Sequence, residues 1–285
     1  MRIVDQAFRL LFLAPFLAVA GCGQEEEVRN VSMSELRMEE DGRYFYGEQG
    51  RSYSGIATVT KSGKKVSESN FLKGVREGEH KVWWPETGKV RSLSSYKDGF
   101  RHGLMTTWDE EGVKLSEVNY AEGAQDGSYK AWFVSGAVSE TGNYAAGKRD
   151  GVWTSYFDDP TESKKLEEIT YKEGKMHGQK QIWLASGQLI YQGGYKDNQM
   201  DGRHDTWYDT GVKRESVTYA AGRPTGTHEG WYESGQREFR RFYREDGTPP
   251  AEEFWDRDGN KTDGAPDPEV PPLPTEPTEP DPAFE

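Results

Sequence analysis

An aromatic residue recurs through most of this chain at a nearly fixed interval. Trp84, Trp108, Trp132, Tyr156, Trp183, Trp207, Trp231 and Trp255 are separated by 24, 24, 24, 27, 24, 24 and 24 residues. A glycine follows four residues later in all but one copy, at Gly88, Gly112, Gly136, Gly187, Gly211, Gly235 and Gly259. A second aromatic closes each copy, at Phe71, Tyr96, Tyr120, Tyr144, Tyr171, Tyr195, Tyr219 and Tyr243. Pairs of glycines come between, such as Gly99 with Gly103 and Gly123 with Gly127, and Asn198 takes the first position of one pair. Asparagine is the residue after glycine most able to adopt a positive φ. A chain so periodic is constrained to tandem copies of one small unit, each stacked on its neighbours.

The unit itself follows from spacing. Gly103 and Gly112 are nine residues apart, too close for an ordinary helix between them. Short runs such as TTW and VKLSEVNY on either side of a glycine turn read as a β-hairpin. Apolar residues make up 33% of the chain, below the usual level of about 45–50%. Aromatics make up 13%, so rings have to supply much of the buried surface. Equivalent positions in adjacent hairpins lie two strands, about 9.6 Å, apart, so the tryptophans cannot touch one another. The expected arrangement places a residue of the intervening strand between them, with the closing tyrosines as the candidates. The predicted fold is all-β: an elongated, single-layer antiparallel sheet of about eight or nine tandem 24-residue hairpins, on the order of 80 Å long, over residues 44–263.

The irregularities fit the same scheme. FDDPTESKKLEE, residues 157–168, carries three extra residues and lacks the turn glycine, as an expanded hairpin tip would. One residue is inserted within GEHKVWWPETG, residues 78–88. The first copy, from about Tyr46 to Phe71, is degenerate, with Val59 and Gly63 in the slots; the last decays after Tyr243. Terminal units of a stack present an unpaired face to water and therefore depart from the repeat.

This skeleton resembles the MORN repeat, particularly its bacterial variant. The family's core phrase, close to Asn-Gly-Lys-x-His-Gly, corresponds here to DGFRHG (98–103), AGKRDG (146–151), EGKMHG (173–178) and DNQMDG (197–202). The resemblance covers about residues 44–260 and implies a hairpin array. By family, it implies scaffolding, dimerisation or lipid contact, and for the bacterial variant an antitoxin-like role. The copy length of 24 is longer by one than the commoner one.

The N-terminus reads as an export signal. Arg2 and Arg9 flank the start of an apolar run, Leu10 to Ala20, too short to span a bilayer and interrupted by Pro15. It ends in Val19-Ala20-Gly21-Cys22, which resembles a bacterial lipobox, whose cysteine thiol accepts a diacylglyceryl group before cleavage. On this reading residues 1–21 are a lipoprotein signal peptide and residues 22–43 a lipidated N-terminus and tether. The plainer alternative is a secretory peptide with an incidental cysteine. Each buried acyl methylene contributes about 0.8 kcal/mol, so several chains, palmitate among them, hold a protein firmly. Gly23, rather than aspartate, follows the cysteine; by resemblance to Gram-negative lipoproteins this favours the outer membrane, facing the periplasm. Cys22 is the only cysteine, so neither an internal disulfide nor a cysteine metal site exists. Residues 264–285, rich in proline and acid, are expected to be an extended tail.

Chemistry-bearing motifs are sparse. The sequence lacks H-E-x-x-H, P-loop and G-x-S-x-G patterns. His102 and His177 precede loop glycines; His80, His204 and His228 follow them, and His204 and His228 sit too far apart to share a zinc ion. Carboxylate clusters, Asp109-Glu110-Glu111 and Asp158-Asp159, fall at hairpin tips, where solvated charge is the default. A net charge of −13 argues against nucleic acid and against docking on anionic lipid. Catalytic, metal and cofactor sites are accordingly expected to be none. The functional candidates are Cys22 as lipid acceptor and the repeat aromatics Trp84, Trp108, Trp132, Trp183, Trp207 and Trp231 as a binding ladder. Large residues after the slot (Phe133, Phe157, Leu184, Tyr208, Tyr232) put rings on the second face, where self-association is an option. The expectation is a membrane-anchored, non-enzymatic binding or assembly module of the cell envelope, its partner a protein or polymer. The alternative is an antitoxin- or immunity-like protein that neutralises a cognate toxin.

Overall fold

The computed structural model describes residues 29–47, 51–244 and 248–265. The signal segment, Cys22 and the tail beyond residue 265 lie outside the described residues. From Gly55–Lys61 onward, strands pair antiparallel in chain order, ending at Lys261–Thr262, with Phe100–Arg101 and Gly103–Trp108 both paired to Val90–Lys97 as one strand interrupted at His102. The result is one long open sheet of consecutive hairpins, as the periodicity predicts. The first pairing alone differs: Arg29–Ser32 lies parallel to Gly55–Lys61.

Two kinds of turn alternate along the sheet. One has two residues, both at positive φ, as at Glu122–Gly123 (50° and 86°) and Asp197–Asn198 (51° and 69°). This is the type I′ geometry, whose twist matches that of the flanking strands. Asn198 adopts the positive φ expected of it. The first turn residue is seldom glycine, and the preceding hairpin holds it in place. Glu77 accepts from the Asp98 backbone N–H (2.8 Å), Asp126 from Ala146 (3.3 Å), Asp150 from Glu173 (3.2 Å) and Asp201 from Ala221 (3.4 Å). The next N–H also reaches back: Gly123 donates to the Arg101 carbonyl and Gly147 to that of Gln125. Each turn is therefore complete only when its neighbour is folded.

The other turn lies at the opposite end of the hairpin and has three residues between its closing pair. Asp109 N–H donates to the Val113 carbonyl, and Gly112 takes φ of 89°. The register shifts beside this turn, between Thr107 and Trp108, and leaves Leu115 of the returning strand as the extra residue. The tip at residues 157–164 is the expanded copy; Phe157 N–H closes it on the Lys164 carbonyl at 3.0 Å.

In place of a globular core, one row of side chains runs down the middle of one face. Register places Ala57, Ser69, His80 and Ser94 side by side, then Met105, Val118, Tyr129 and Gly142, then Trp153, Ile169, Lys180, Gly193, His204, Val217 and His228. Most of the buried residues belong to this row, with Trp153 at 3% and Ala57 at 2% exposure. Large residues from the first strand of each hairpin alternate with small ones from the second. Gly142 shows why: a Cβ there would stand 2.3 Å from the Trp153 indole. Gly193 beneath His204 meets the same limit.

The ring ladder is real, but its membership differs from the expectation. The closing tyrosines contact large residues of this row: Tyr144 meets Tyr129 and Trp153 (centroids 5.7 and 4.9 Å), and His204 meets Tyr195 and Tyr219 (5.4 and 4.9 Å). The slot tryptophans stand at the other end of the strands. Trp132 pairs with Val138, while the closing Tyr144 pairs with Gly127, five residues away along the strand. A separation of about 16 Å keeps the two sets apart.

The N-terminal end has the one compact apolar cluster among the described residues. Val31, Tyr53, Ala57 and Phe71 are buried together, flanked by Met33, Leu36, Tyr44 and Tyr46. A small second sheet, Leu36–Met38, Tyr44–Tyr46 and Arg51–Ser52, folds over the end of the array. The stretch read as tether thus includes a strand (Arg29–Ser32), a 3₁₀ turn (Met33–Glu35) capped by Ser32, and a further strand. Tyr46 belongs to this cap and not to the first hairpin, which is Gly55–Leu72.

Candidate functional site

The face opposite the buried row is polar and carries the slot tryptophans. Strand alternation puts Trp132, Lys130 and Ser128 together, and register adds Glu117 and Thr141, which flank Lys130. The tryptophans are half-buried and lie one per hairpin, so the fold brings none of them together. The residue paired with the slot ring alternates between a cation (Lys114, Lys165, Lys213, Arg237) and an aliphatic side chain (Val90, Val138, Leu189). Lys114 pairs with Trp108 and holds its ammonium 5.2 Å from the Trp132 ring. Lys65 over Trp83 (4.5 Å), Lys165 over Trp183 (5.6 Å) and Arg237, which pairs with Trp231, over Trp255 (5.4 Å) repeat the arrangement. In Trp207 the cation comes from its own hairpin, Lys213 at 5.6 Å. Each such contact contributes about 0.5–1 kcal/mol at an exposed site. Lys65, Lys114 and Lys165 also form ion pairs with the glutamate three residues on, which fixes them in place.

Trp83, and not Trp84, occupies the tryptophan slot of its copy. The bulge falls between Val82 and Trp83, and Trp83 pairs with Val90 as Trp108 pairs with Lys114. The inserted residue lies in the turn that follows, so counting back from Gly88 misassigns the slot. Trp84 occupies the next position, beneath Arg91 (4.6 Å), and its indole N–H donates to the Trp108 carbonyl at 3.1 Å. That position has a second use along the chain. The Tyr208 hydroxyl donates to the Trp231 carbonyl (2.9 Å), and that of Tyr232 to the Trp255 carbonyl (2.8 Å). These residues therefore tie each hairpin to the next. Tyr208→Phe removes one such bond and is expected to cost about 0.5–1.5 kcal/mol, read as a lower urea midpoint with unchanged far-UV circular dichroism.

Three of the five histidines, His80, His204 and His228, serve the buried row, whereas His102 is exposed and His177 faces Asp197 at 3.9 Å. His80 Nδ1 lies 2.7 Å from the Ser69 hydroxyl. His204 is the most enclosed: its Nε2–H, assigned from the bonding pattern, donates to the Gly194 carbonyl (2.8 Å). Its Nδ1 accepts from the Tyr191 hydroxyl (2.8 Å), which is 2.9 Å from that of Tyr195. Burial lowers the pKa of His204 below the ordinary histidine value, only partly offset by the Gly194 bond and the Asp205 charge. Burial, with Arg76 nearby, lowers that of His80 as well. A depressed folded-state pKa means that the unfolded chain takes up the proton first as pH falls. Stability is thus full above about pH 6.5 and declines below it, until the folded histidine also protonates. The urea midpoint is expected to fall between pH 7 and pH 5, and to fall less steeply in His204→Phe. An equal slope in that variant would refute the assignment.

On the polar face, a groove of about 360 Å³ lies over the strands between Gly103–Trp108 and Lys148–Tyr156. Leu104 and Val152 stand at its two sides, with Ser128, Lys130, Thr141 and Asn143 between. Glu117, also at the groove, is engaged by Lys114. The sequence reading missed both this groove and Trp153. Among the described residues no group of three or more histidines and carboxylates could hold a metal ion.

The architecture defines a class: a tandem hairpin array whose interior is one shared row of side chains. Residues 101–122 match the family model described as MORN repeat variant, and the hairpins on either side share their register. That segment is a MORN repeat, and the hairpins around it repeat its geometry. No curated protein matches the sequence. Among solved structures, a chain of the "Crystal Structure of TcdB2-TccC3-Cdc42" is 12% identical, with 79% of this chain and 19% of that one covered and a TM-score of 0.13. This chain thus spans about a fifth of that chain's length, and an overlay so loose carries no argument.

Proposed function

We propose that the protein is a non-enzymatic binding or assembly module of the bacterial cell envelope, held on a membrane by lipid at Cys22. The observation that carries the reading is the uncovered polar face. It runs the length of the sheet with a half-buried slot aromatic in each hairpin from Trp83 on, five of them in contact with a cation, and no described element packs over it. MORN repeats commonly serve as binding or assembly modules, and an open array offers contact area out of proportion to its mass. The apolar run ending in Val19-Ala20-Gly21-Cys22 supports the anchor, and Gly23 supports an outer-membrane site facing the periplasm.

The test is fractionation of cells expressing the full chain, followed by in vivo crosslinking and mass spectrometry. The protein is expected in the membrane fraction with an acylated N-terminal Cys22 and crosslinked to an envelope component. Cys22→Ala should move it to the soluble fraction. Recovery of the unaltered chain as a soluble protein with an unmodified cysteine would overturn the reading.

A further inference from the structure

The slot rings form a continuous line across the polar face, and its C-terminal stretch is the most regular. Trp183, Trp207, Trp231 and Trp255 follow one another there, each half-buried and about 9.6 Å from the next. Between them, on the intervening strands, stand Leu189, Lys213 and Arg237. Lys165 continues the line between Trp183 and Tyr156. The strands beneath are paired on both sides, so a ligand here finds no sheet edge for main-chain hydrogen bonds. A polyproline II helix has no use for an edge. It docks through its rings on aromatic-lined surfaces, with flanking charges supplying direction.

The chain carries such a segment directly beyond this end of the line. Within residues 266–285, which lie outside the described residues, proline occupies every third position at 268, 271, 274, 277 and 280. An acidic or aliphatic residue precedes each of them. One polyproline II turn takes three residues and rises about 9.3 Å, close to the spacing of the rings. From Asp263 to Glu285 the sequence has acids but no lysine or arginine, whereas the charged members of the ring line are cations. The exit point is suitable as well. Lys261 pairs with Trp255 in the last hairpin, and a Cβ at Gly264 would meet nothing, so the backbone has room to turn back. Residues 266–280 reach about 45 Å in this form, and the line from Trp255 to Tyr156 is about 38 Å long.

We infer that the proline-rich tail docks on the ring line of its own array, running back from Trp255 toward Tyr156. In the register that starts at the last hairpin, Pro268, Pro271 and Pro274 lie on Trp231, Trp207 and Trp183. The same register sets Asp267 beside Arg237, Leu273 beside Leu189 and Glu276 beside Lys165. Arg237 and Lys165 are already paired with Glu229 and Glu168, but a guanidinium has five N–H donors and an ammonium three, which leaves donors for the tail. Proline fixes φ in advance, so little ordering entropy is lost on docking. The connection is short, so the tail is held at high effective concentration and weak contacts suffice. The inference rests on the proposed function for its binding face and not for its membrane anchor. It makes the tail a built-in competitor that a partner has to displace.

Photocrosslinking of the full-length protein in detergent tests this, with benzoylphenylalanine in place of Leu273. Equal parts of ordinary and heavy-nitrogen-labelled protein are mixed, irradiated, digested and mapped by mass spectrometry. Crosslinks are expected to peptides holding Trp183, Leu189 and Trp207, with both halves of each from one isotope population. Combined Pro271→Gly, Pro274→Gly and Pro277→Gly should lower their yield about fivefold or more, because the preset turn is lost. That variant leaves the array itself unaltered, so misfolding does not cloud the result. Trp207→Ala, with melting followed as a check, should lower the yield from the other side. Crosslinks that join the two isotope populations mean that a second copy takes the tail, and they overturn docking within one chain. Crosslinks to the buried-row face, or an unchanged yield in the proline variant, overturn the inference outright. If that happens while an envelope component is still captured in cells, the proposed function survives without the tail. If the tail lands on the rings but the chain is soluble with an unmodified cysteine, the inference stands and the envelope placement falls.

Discussion

Trp153→Ala is expected to lower stability by about 3–5 kcal/mol, the largest loss from any single position in the array. The indole is 3% exposed and stacks on Tyr129 at 5.2 Å, with Tyr144 and Tyr171 edge-on. Its N–H donates to the Asn143 carbonyl (3.0 Å), and Arg149 lies 4.1 Å from its centre. Two adjacent hairpins, Ala124–Ala145 and Lys148–Lys172, therefore lose contacts when the ring is removed. Gly142 makes the site testable from the other side. A Cβ there would meet the indole at 2.3 Å, so Gly142→Ala forces the ring off the sheet and should also destabilise strongly. Together the two changes partly compensate, because the methyl enters the space that the indole vacates. The double variant is expected to be more stable than the sum of the single losses predicts. Urea midpoints of the three variants decide the matter. Strict additivity, or a loss below about 1 kcal/mol for Trp153→Ala, would mean that the row does not act as the core.

Repetition governs what the sequence discloses. The slot tryptophans, turn glycines and closing tyrosines recur identically, and from them the hairpin, its phase and its expanded tip are legible. The buried row is not, because its large members change from copy to copy: His80, Met105, Tyr129, Trp153, Lys180, His204 and His228 fill one position. Each is matched to the space left by two flanking residues, and such matching has no period. Trp83 and Trp84 are adjacent, and only the bulge after Val82 shows which of them ends the strand. The ladder was assigned to the wrong pair of positions for a related reason. Spacing gives the order of residues across the sheet but not their height along the strand. The N-terminal strands were hidden because Val31, Met33 and Leu36 are too sparse to read as a core until Tyr53 and Phe71 fold over them. The groove stays hidden because strand pairing, not spacing, sets Asn143 beside Ser128 and Thr141 beside Lys130 between Leu104 and Val152.

Phe71→Ala should be nearly as costly as Trp153→Ala, at about 3–5 kcal/mol, but with a different spatial signature. Phe71 is 4% exposed, packs edge-on against Tyr44 (5.0 Å) and tilts against Tyr53 (5.8 Å). It is the closing aromatic of the first hairpin, and it meets the cap sheet where later copies meet another hairpin. The cap is tied to this hairpin by backbone bonds as well: Tyr44 N–H donates to the Gly74 carbonyl (2.7 Å), and Gly74 N–H to that of Tyr53 (2.8 Å). Loss of the ring should therefore free the cap sheet and expose one end of the array. In a stacked protein each unit depends on its neighbours, so opening spreads inward from that end and fades with distance. Amide hydrogen exchange is expected to quicken across residues 30–83 and to remain slow in Leu189–Lys196 and Lys213–Ala220. Trp255→Ala at the far end should cost less, because the ring is half-buried with Arg237 over it, and the Tyr232 hydrogen bond to the residue 255 carbonyl is kept. Uniform acceleration of exchange over the whole sheet in Phe71→Ala would contradict this. It would show that the hairpins unfold as one cooperative block and that the N-terminal cluster is no more than one part of it.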